Sequence, residues 1–140
     1  MTDRAVVNAA PRAVLGKKVK NLRRGGLLPG NVYGRNVDST PIQMDAREFD
    51  RFITTDAVRG LFDIKIEGEK KARKVILRGL DRLGGTGEPI HAEFLQVDLK
   101  RPLWVTVRLN FTGVAPAVRD LAGTLVRSAA TLRIRCLPED

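Results

Sequence analysis

A short basic segment has the clearest chemical potential in this sequence. Within eight positions it carries five cationic side chains, Lys17, Lys18, Lys20, Arg23 and Arg24. Cations spaced so closely attract a phosphate backbone, because each neutralised phosphate releases condensed counterions. The alternative interpretation is a solvated, lysine-rich surface helix, since runs of charge are common on solvated faces.

Positive charge is concentrated around this segment. The first 35 residues hold eight lysines and arginines and one acid, whereas the other 105 hold 17 and 15. The whole chain has a net charge of +9 and a pI of 10.4, which favours nucleic acid or an anionic membrane surface as a partner. No apolar run approaches the roughly 18 residues of a membrane span, and the basic segment lacks a Trp/Phe/Leu face for lying in a membrane interface. The opening residues also lack a signal-peptide core. We therefore expect no membrane partner.

Catalytic and metal-binding chemistry has few candidates. One histidine, His91, and one cysteine, Cys136, are too few for a zinc site without unusual help from carboxylates. Cys136 alternates with arginines in a strand pattern and is expected to pack as a small apolar residue. The glycines of residues 82–88 lack the lysine and the following helix of a P-loop. We predict no catalytic residue, no metal, no cofactor and no small-molecule substrate.

The basic segment is predicted to form two helical turns over residues 17–24. Val19 and Leu22 are three positions apart and would face the body of the protein. The cations left largely free would be Lys17, Lys20, Arg23 and Arg24. Two glycines are expected to end this helix. The chain then extends towards Tyr33.

The rest of the chain is predicted to be mainly β. Asp45 and Glu48 have the spacing of a capping box, which predicts a helix over residues 46–54. His91 and Glu93 share one strand face because side chains alternate with a period of two. The predicted strands are residues 5–9, 31–33, 41–44, 61–67, 73–80 and 89–97, and residues 34–40 are expected to form a turn-rich connection.

A domain boundary is expected at residues 99–102. Alternating patterns beyond it predict two or three strands, and about 40 residues rarely carry a self-sufficient core. This tail either packs on the first domain or begins a second domain that the chain does not complete. We predict one domain over residues 1–98 and a partial C-terminal β domain over residues 99–140.

Four motifs, taken together, resemble one family. They are G-K-K-x-K-x-L-R-R-G-G-x-L-P-G-x-V-Y-G at 16–34, D-x-x-E-F-D at 45–50, G-L-F-D-I at 60–64 and P-I-H-A-E-F at 89–94. In this order and spacing, over residues 12–136, the chain is similar to the bacterial ribosomal protein L-twenty-five family, in its long form related to general stress protein CTC. The resemblance implies a mainly β (α+β) fold: a closed β-barrel with short flanking helices, followed by the opening strands of a second β domain.

The resemblance also implies a non-enzymatic, structural constituent of the large ribosomal subunit that binds 5S rRNA. Its partners would be 5S rRNA, the large subunit and neighbouring ribosomal proteins, in the cytoplasm on the ribosome. The single cysteine suits that reducing compartment. One alternative is an RNA-processing or RNA-modifying enzyme that uses the barrel as a substrate platform, although we find neither a cofactor motif nor a catalytic carboxylate cluster. Another is a stress-induced protein that uses the same RNA surface off the ribosome.

The implied RNA-binding residues form two groups. A-form RNA presents 2′-hydroxyls and base edges in a shallow minor groove, and Tyr33, His91 and Glu93 would face that groove. Glu93 would accept hydrogen bonds from guanine N–H groups or a 2′-hydroxyl, which adds specificity rather than general affinity. The implied phosphate contacts are Arg12, Lys17, Lys18, Lys20, Arg23 and Arg24. The chain departs from the family pattern at Asp81, where relatives commonly carry a neutral amide.

Overall fold

The structure is a computed structural model that describes residues 5–14, 16–55 and 60–139. These residues divide into two compact units, of which one ends at Leu99 and the other begins at Lys100. Within the described ranges, the first unit is a six-stranded closed barrel with short helices, and the second is a two-stranded sheet with one short helix. The mainly β fold predicted above, with its closed barrel, is confirmed. None of the helices in these ranges is long and apolar enough to cross a membrane.

Eight strands and three α-helices make up the described chain. The strands are β1 (Val6–Pro11), β2 (Leu27–Gly34), β3 (Val37–Asp45), β4 (Leu61–Ile66), β5 (Arg73–Arg82), β6 (Pro89–Gln96), β7 (Leu103–Arg108) and β8 (Thr131–Cys136). The helices are a 3-10 turn (Gly16–Lys18), α1 (Val19–Arg24), α2 (Ala46–Thr54) and α3 (Pro116–Asp120).

The barrel closes in the strand order β1-β3-β2-β6-β5-β4, with β4 pairing back onto β1. The β1–β4 and β2–β6 pairs are parallel, and the other neighbours are antiparallel. Alternate residues of each strand point inwards, as the period of two requires. On β4, the inward-pointing residues Phe62, Ile64 and Ile66 are buried.

Four aromatic rings fill the centre of the core. Phe49 and Phe52 of α2 meet Phe62 and Phe94 of the barrel wall, with edge-to-face contacts at 5.7 Å for Phe49–Phe94 and 5.2 Å for Phe52–Phe62. Offset and edge-to-face geometry is the favourable arrangement for such rings. Because two of the rings come from α2, this helix is part of the core of the barrel unit.

Helix α2 begins where the capping pattern predicts. One carboxylate oxygen of Asp45, Oδ1, accepts hydrogen bonds from the backbone N–H groups of Arg47 and Glu48, both at 2.9 Å. These bonds satisfy two of the donors that a helix start leaves unpaired. The predicted helix over residues 46–54 is confirmed.

The prediction of a turn-rich connection over residues 34–40 is wrong. The chain turns in two residues, Arg35 and Asn36, and β3 begins at Val37. Asn36 has φ 59°, a left-handed conformation that asparagine tolerates and that tight hairpin turns use. Strand β2 also begins earlier than predicted, at Leu27. Its Pro29 pairs with β3 but lies before the first residue that pairs with β6, so the missing proline N–H costs no ladder bond there.

The second unit is a pair of antiparallel strands without a buried core among its described residues. We call the pair the β7–β8 hairpin, although residues 109–130 join its strands. Strands β7 and β8 pair antiparallel from Leu103–Cys136 to Arg108–Thr131, which agrees with the prediction of two or three strands. None of the described residues in this unit is buried, although Cys136 is half-buried. Phe111 lies beyond the end of β7 and is exposed.

Candidate nucleic-acid interface

Three adjacent strands carry polar side chains on the outside of the barrel. On β2, Leu28 and Val32 are buried, so Asn31 and Tyr33 face outwards, and both are half-buried. On β6, Ala92 and Phe94 are buried, so the half-buried His91 and the exposed Glu93 face outwards. We call this surface the groove face. It comprises Asn31, Tyr33, Gly79, Asp81, His91 and Glu93.

Strand pairing fixes the neighbours of Glu93. The residue lies opposite Asn31 on the β2 side and opposite Gly79 on the β5 side. A Cβ atom placed on Gly79 would lie 3.6 Å from Oε2 of Glu93, so the carboxylate extends over this glycine. Among the described residues no side chain donates a hydrogen bond to Glu93. Its oxygens are therefore available to an external donor.

A second acid lies on the same face. Asp81 is exposed and pairs directly with His91 across the β5–β6 ladder. Asp81, at which the chain departs from the family pattern, thus lies next to the predicted site residue His91. The groove face combines a histidine, two carboxylates and an amide, and its chemistry is hydrogen bonding rather than general attraction of phosphate.

The basic segment lies against this face. Gly16 has φ 70°, and the 3-10 turn leads directly into α1. Val19 is buried and Leu22 half-buried, as predicted. The expectation that Arg23 is largely free is wrong, because its Nε donates a hydrogen bond to the backbone oxygen of Ile90 at 2.9 Å. This bond ties α1 to β6 beside His91.

Arg12 joins the basic residues to the groove face. Its backbone N–H donates to the Pro41 oxygen at 3.1 Å, and its Nη2 donates to Oδ1 of Asn31 at 3.0 Å. Burial, and after it the positive charge of Arg23, lowers the pKa of the Arg12 guanidinium, which still stays protonated at neutral pH. An anion bound beside both arginines would offset their repulsion.

The remaining cations of the segment face solvent. Within the described ranges their side chains make no hydrogen bond or ion pair. These residues are Lys17, Lys18, Lys20 and Arg24. They can bind phosphates without first breaking an internal contact.

The arrangement offers little for catalysis or for metal binding. In the part of the chain that the structure describes, no group of three histidine, cysteine or acidic side chains could hold a metal ion. The glycine-rich loop of residues 83–88 runs into strand β6 instead of a helix, so its backbone N–H groups lack the P-loop setting. Arg82 holds this loop through its Nη1, which donates to the Gly87 oxygen at 2.7 Å and to Oδ1 of Asp50 at 3.2 Å.

A sequence model of the Ribosomal L25p family matches residues 7–94. The match covers more than half of the chain. The chain belongs to the Ribosomal L25p family. All nine predicted RNA-binding residues lie within the matched range, and the resemblance found in the four motifs is confirmed.

Relatives in this family are about a third identical to the chain over the aligned residues. The "Large ribosomal subunit protein bL25" of Roseiflexus castenholzii is 34% identical over 140 residues, which is all of this chain and 64% of the relative. Proteins of the same name from Herpetosiphon aurantiacus and Dehalococcoides mccartyi are 32% and 30% identical over 130 residues, or 93% of this chain and 65% and 60% of theirs. The chain thus spans less than two thirds of the length of these L25p relatives.

Asn31 is the groove-face residue that the sequence analysis missed. It separates Glu93 from Arg12, and its Oδ1 is held by that arginine. The signal was present, because Asn31 and Tyr33 alternate with Val32 and must share a face. Its contact with Arg12 has no sequence signal, since the two residues are 19 positions apart.

Proposed function

We propose that this chain is a non-enzymatic, structural constituent of the large ribosomal subunit that binds 5S rRNA. The groove face lies in the minor groove of the RNA, and the basic segment binds the flanking phosphates. The observation that carries the proposal is the pair of arginine bonds, Arg12 to Asn31 and Arg23 to Ile90. These bonds hold the cations beside the face that reads the groove.

The shape of A-form RNA fits this division of labour. Its minor groove is wide and shallow, and it exposes 2′-hydroxyls and base edges to a surface that is not deeply curved. A strand face bearing His91, Glu93, Asn31 and Tyr33 can make hydrogen bonds there. Phosphate contacts from the basic segment then set the register of the protein on the RNA without reading its sequence.

Acidic residues give the face its selectivity. Glu93 repels phosphate and can only favour a site that offers it a donor, such as a guanine N–H or a 2′-hydroxyl. Asp81 stands beside His91 and imposes the same condition. Non-cognate RNA thus meets two unpaired carboxylates, whereas the 5S site supplies donors for at least one.

The names of the relatives support a ribosomal role over an enzymatic one. They are large ribosomal subunit proteins, and none of these names denotes an enzyme. An RNA-modifying enzyme on the same barrel would need a catalytic cluster or a cofactor site beside the groove face. We therefore place the chain in the cytoplasm on the ribosome, with neighbouring ribosomal proteins as further partners.

The domain division follows from the same proposal. The RNA-binding barrel domain comprises residues 1–98, and residues 99–140 begin a second β domain. The terminal residues of both ranges, 1–4 and 140, lie outside the described residues. Supporting this division, the chain passes from one compact unit to the other between Leu99 and Lys100.

Co-sedimentation tests the proposal. Purified chain is mixed with large ribosomal subunits at moderate salt and centrifuged, and in parallel it is titrated with isolated 5S rRNA. We expect the chain in the subunit pellet and saturable binding to 5S rRNA. A chain that stays in the supernatant and binds 5S rRNA no better than an unrelated duplex would contradict the proposal.

A further inference from the structure

The second unit carries a basic face to which the proposed function assigns no role. In the β7–β8 hairpin, apolar side chains alternate with polar and aromatic ones. The polar set shares one face, because antiparallel partners point to the same side of a sheet. We call it the arginine face, and it comprises Trp104, Thr106, Arg108, Thr131, Arg133 and Arg135.

Trp104 is the aromatic residue of the arginine face. It pairs across the strands with Arg135, and the guanidinium carbon of Arg133 lies 5.1 Å from the centroid of its ring. Despite these neighbours, 51% of the tryptophan is exposed. An exposed indole with an arginine stacked on it is a platform on which a nucleic-acid base can stack.

Charge on this face is unbalanced. Residues 100–140 hold seven lysines and arginines and three acids, and the hairpin strands themselves contain no acid. Among the described residues, Arg108, Arg133 and Arg135 form no ion pair. By contrast, Arg119 in the same unit is paired with Asp120 at 2.8 Å. The three hairpin arginines are free to bind phosphates.

We propose that the arginine face is a second RNA-binding surface, which stacks an unpaired base on Trp104 and binds the adjoining phosphates through Arg133 and Arg135. The combination of aromatic platform and unpaired cations is the one that single-stranded RNA requires. The inference rests on the proposed function only in taking RNA as the partner, because its residues are separate from the groove face.

Tryptophan fluorescence reads this surface directly. Trp104 is the only tryptophan in the chain, so a change in emission reports on the arginine face and not on the barrel. We expect a single-stranded oligouridylate to quench the emission in a saturable way. The log of the affinity should fall with the log of the salt concentration by about 0.7 for each phosphate contact.

Three variant proteins separate the effect of the arginine face from that of general charge. Arg133→Gln with Arg135→Gln should flatten the salt slope by about 1.4, and Trp104→Ala, followed by anisotropy of labelled RNA, should lower affinity roughly ten- to a hundredfold. Arg119→Gln removes the same kind of charge from the same unit and should leave binding unchanged. Unfolding curves of the variants should match the wild type, because all four residues are exposed.

Three results would overturn the inference. The first is a tryptophan emission that oligouridylate leaves unchanged. The second is a loss of RNA affinity in Arg119→Gln as large as the loss in the hairpin variants. The third is quenching by polyglutamate, which supplies charge without bases, as strong as the quenching by oligouridylate. The barrel variants Lys20→Ala and Arg24→Ala should lose 5S rRNA affinity yet keep the oligouridylate quench. If the hairpin variants lost 5S rRNA affinity and the barrel variants kept it, the proposed function of the barrel would be contradicted. The inference about the arginine face would not be affected.

Discussion

At the scale of single residues, the barrel surface is unusual in placing acids where RNA is expected. Glu93 extends over Gly79, where the missing side chain leaves room for its carboxylate. Asn31, held by Arg12, lies on its other side. In the proposed complex, a carboxylate in this position would discriminate between RNAs, because it would gain a charge-assisted hydrogen bond from one site and suffer repulsion at others.

The change Glu93→Gln tests this discrimination. It should weaken binding to the 5S site about ten- to a hundredfold, since a hydrogen bond to a charged group is worth roughly 1.5–3 kcal/mol. Binding to an unrelated RNA duplex should stay level or improve, because an unfavourable charge is removed. Titration of both RNAs at one fixed salt concentration provides the measurement.

Glu67→Gln is the matched control, since Glu67 is an exposed acid in the turn after β4. It removes the same charge from another part of the barrel unit and should not weaken cognate binding. Equal improvement on both RNAs in Glu93→Gln would show that the groove face carries no specificity.

At this scale the sequence predicted residue types better than residue contacts. Alternation placed His91 and Glu93 on one strand face, and the structure agrees. The bond from Arg23 to Ile90 spans 67 positions and has no local signature, so the sequence indicated a free cation. Long-range pairs of this kind depend on strand order, which alternation does not fix.

At the scale of elements, the site depends on how closely β2 and β6 approach. A Cβ atom on Gly30 would lie 2.8 Å from the Ala92 oxygen and 3.2 Å from Cε2 of Phe94. One neighbour is backbone and the other is a buried ring, so neither can move cheaply. The glycine after Pro29 therefore allows the parallel pairing that sets Asn31 beside Glu93.

Gly30→Ala should accordingly destabilise the barrel by about 1–3 kcal/mol through overpacking. Thermal or urea unfolding measures the loss. Gly84→Ala is the control, because that loop glycine has no left-handed φ and no other part of the described chain within 4 Å of an added Cβ. A Gly30→Ala variant as stable as Gly84→Ala would mean that the strands separate without cost.

A second glycine controls the end of α1. Gly26 has φ 81°, and its carbonyl oxygen accepts a hydrogen bond from the Ala46 N–H at 3.0 Å. The residue thus sets both the exit of the basic segment and the first turn of α2. A β-branched side chain is strained in this conformation.

Gly26→Val should therefore lower the melting temperature and weaken RNA binding together, with a backbone cost of about 1–2 kcal/mol. Gly25→Ala is the matched control, because Gly25 has φ −79° and an added Cβ would come no closer than 3.4 Å to its nearest neighbour. Equal behaviour of the two variants would show that Gly26 is an ordinary loop position.

Elements with a local signal were predicted well, and those set by pairing were not. Helix α2 follows from its cap and its apolar stripe, and β4 from clean alternation. The tight turn at Arg35 and Asn36 was missed because asparagine there replaces the glycine that usually marks such turns. The early start of β2 was missed because Pro29 argues against a strand unless one edge is unpaired at that residue.

At the scale of the whole molecule, positive charge is divided between two places. The barrel unit carries it on the segment before β2, and the second unit carries it on the β7–β8 hairpin. The first could be predicted from the sequence because its five cations lie within eight positions. The second could not, because hairpin pairing brings together arginines that are more than 20 positions apart along the chain.

The salt dependence of 5S rRNA binding tests the central claim most directly. Lys20→Ala with Arg24→Ala removes two exposed cations whose side chains make no hydrogen bond or ion pair within the described residues, so we expect folding to be undisturbed. Lys70→Ala with Lys71→Ala removes the same charge from the exposed turn before β5, at the opposite end of that strand from Asp81. The log of the affinity is plotted against the log of the salt concentration for the wild type and both double variants. If the basic segment binds phosphates, the first variant flattens the slope by about 1.4–1.8 and the second leaves it unchanged. Equal slopes in all three proteins, or equal flattening in both variants, would contradict the account.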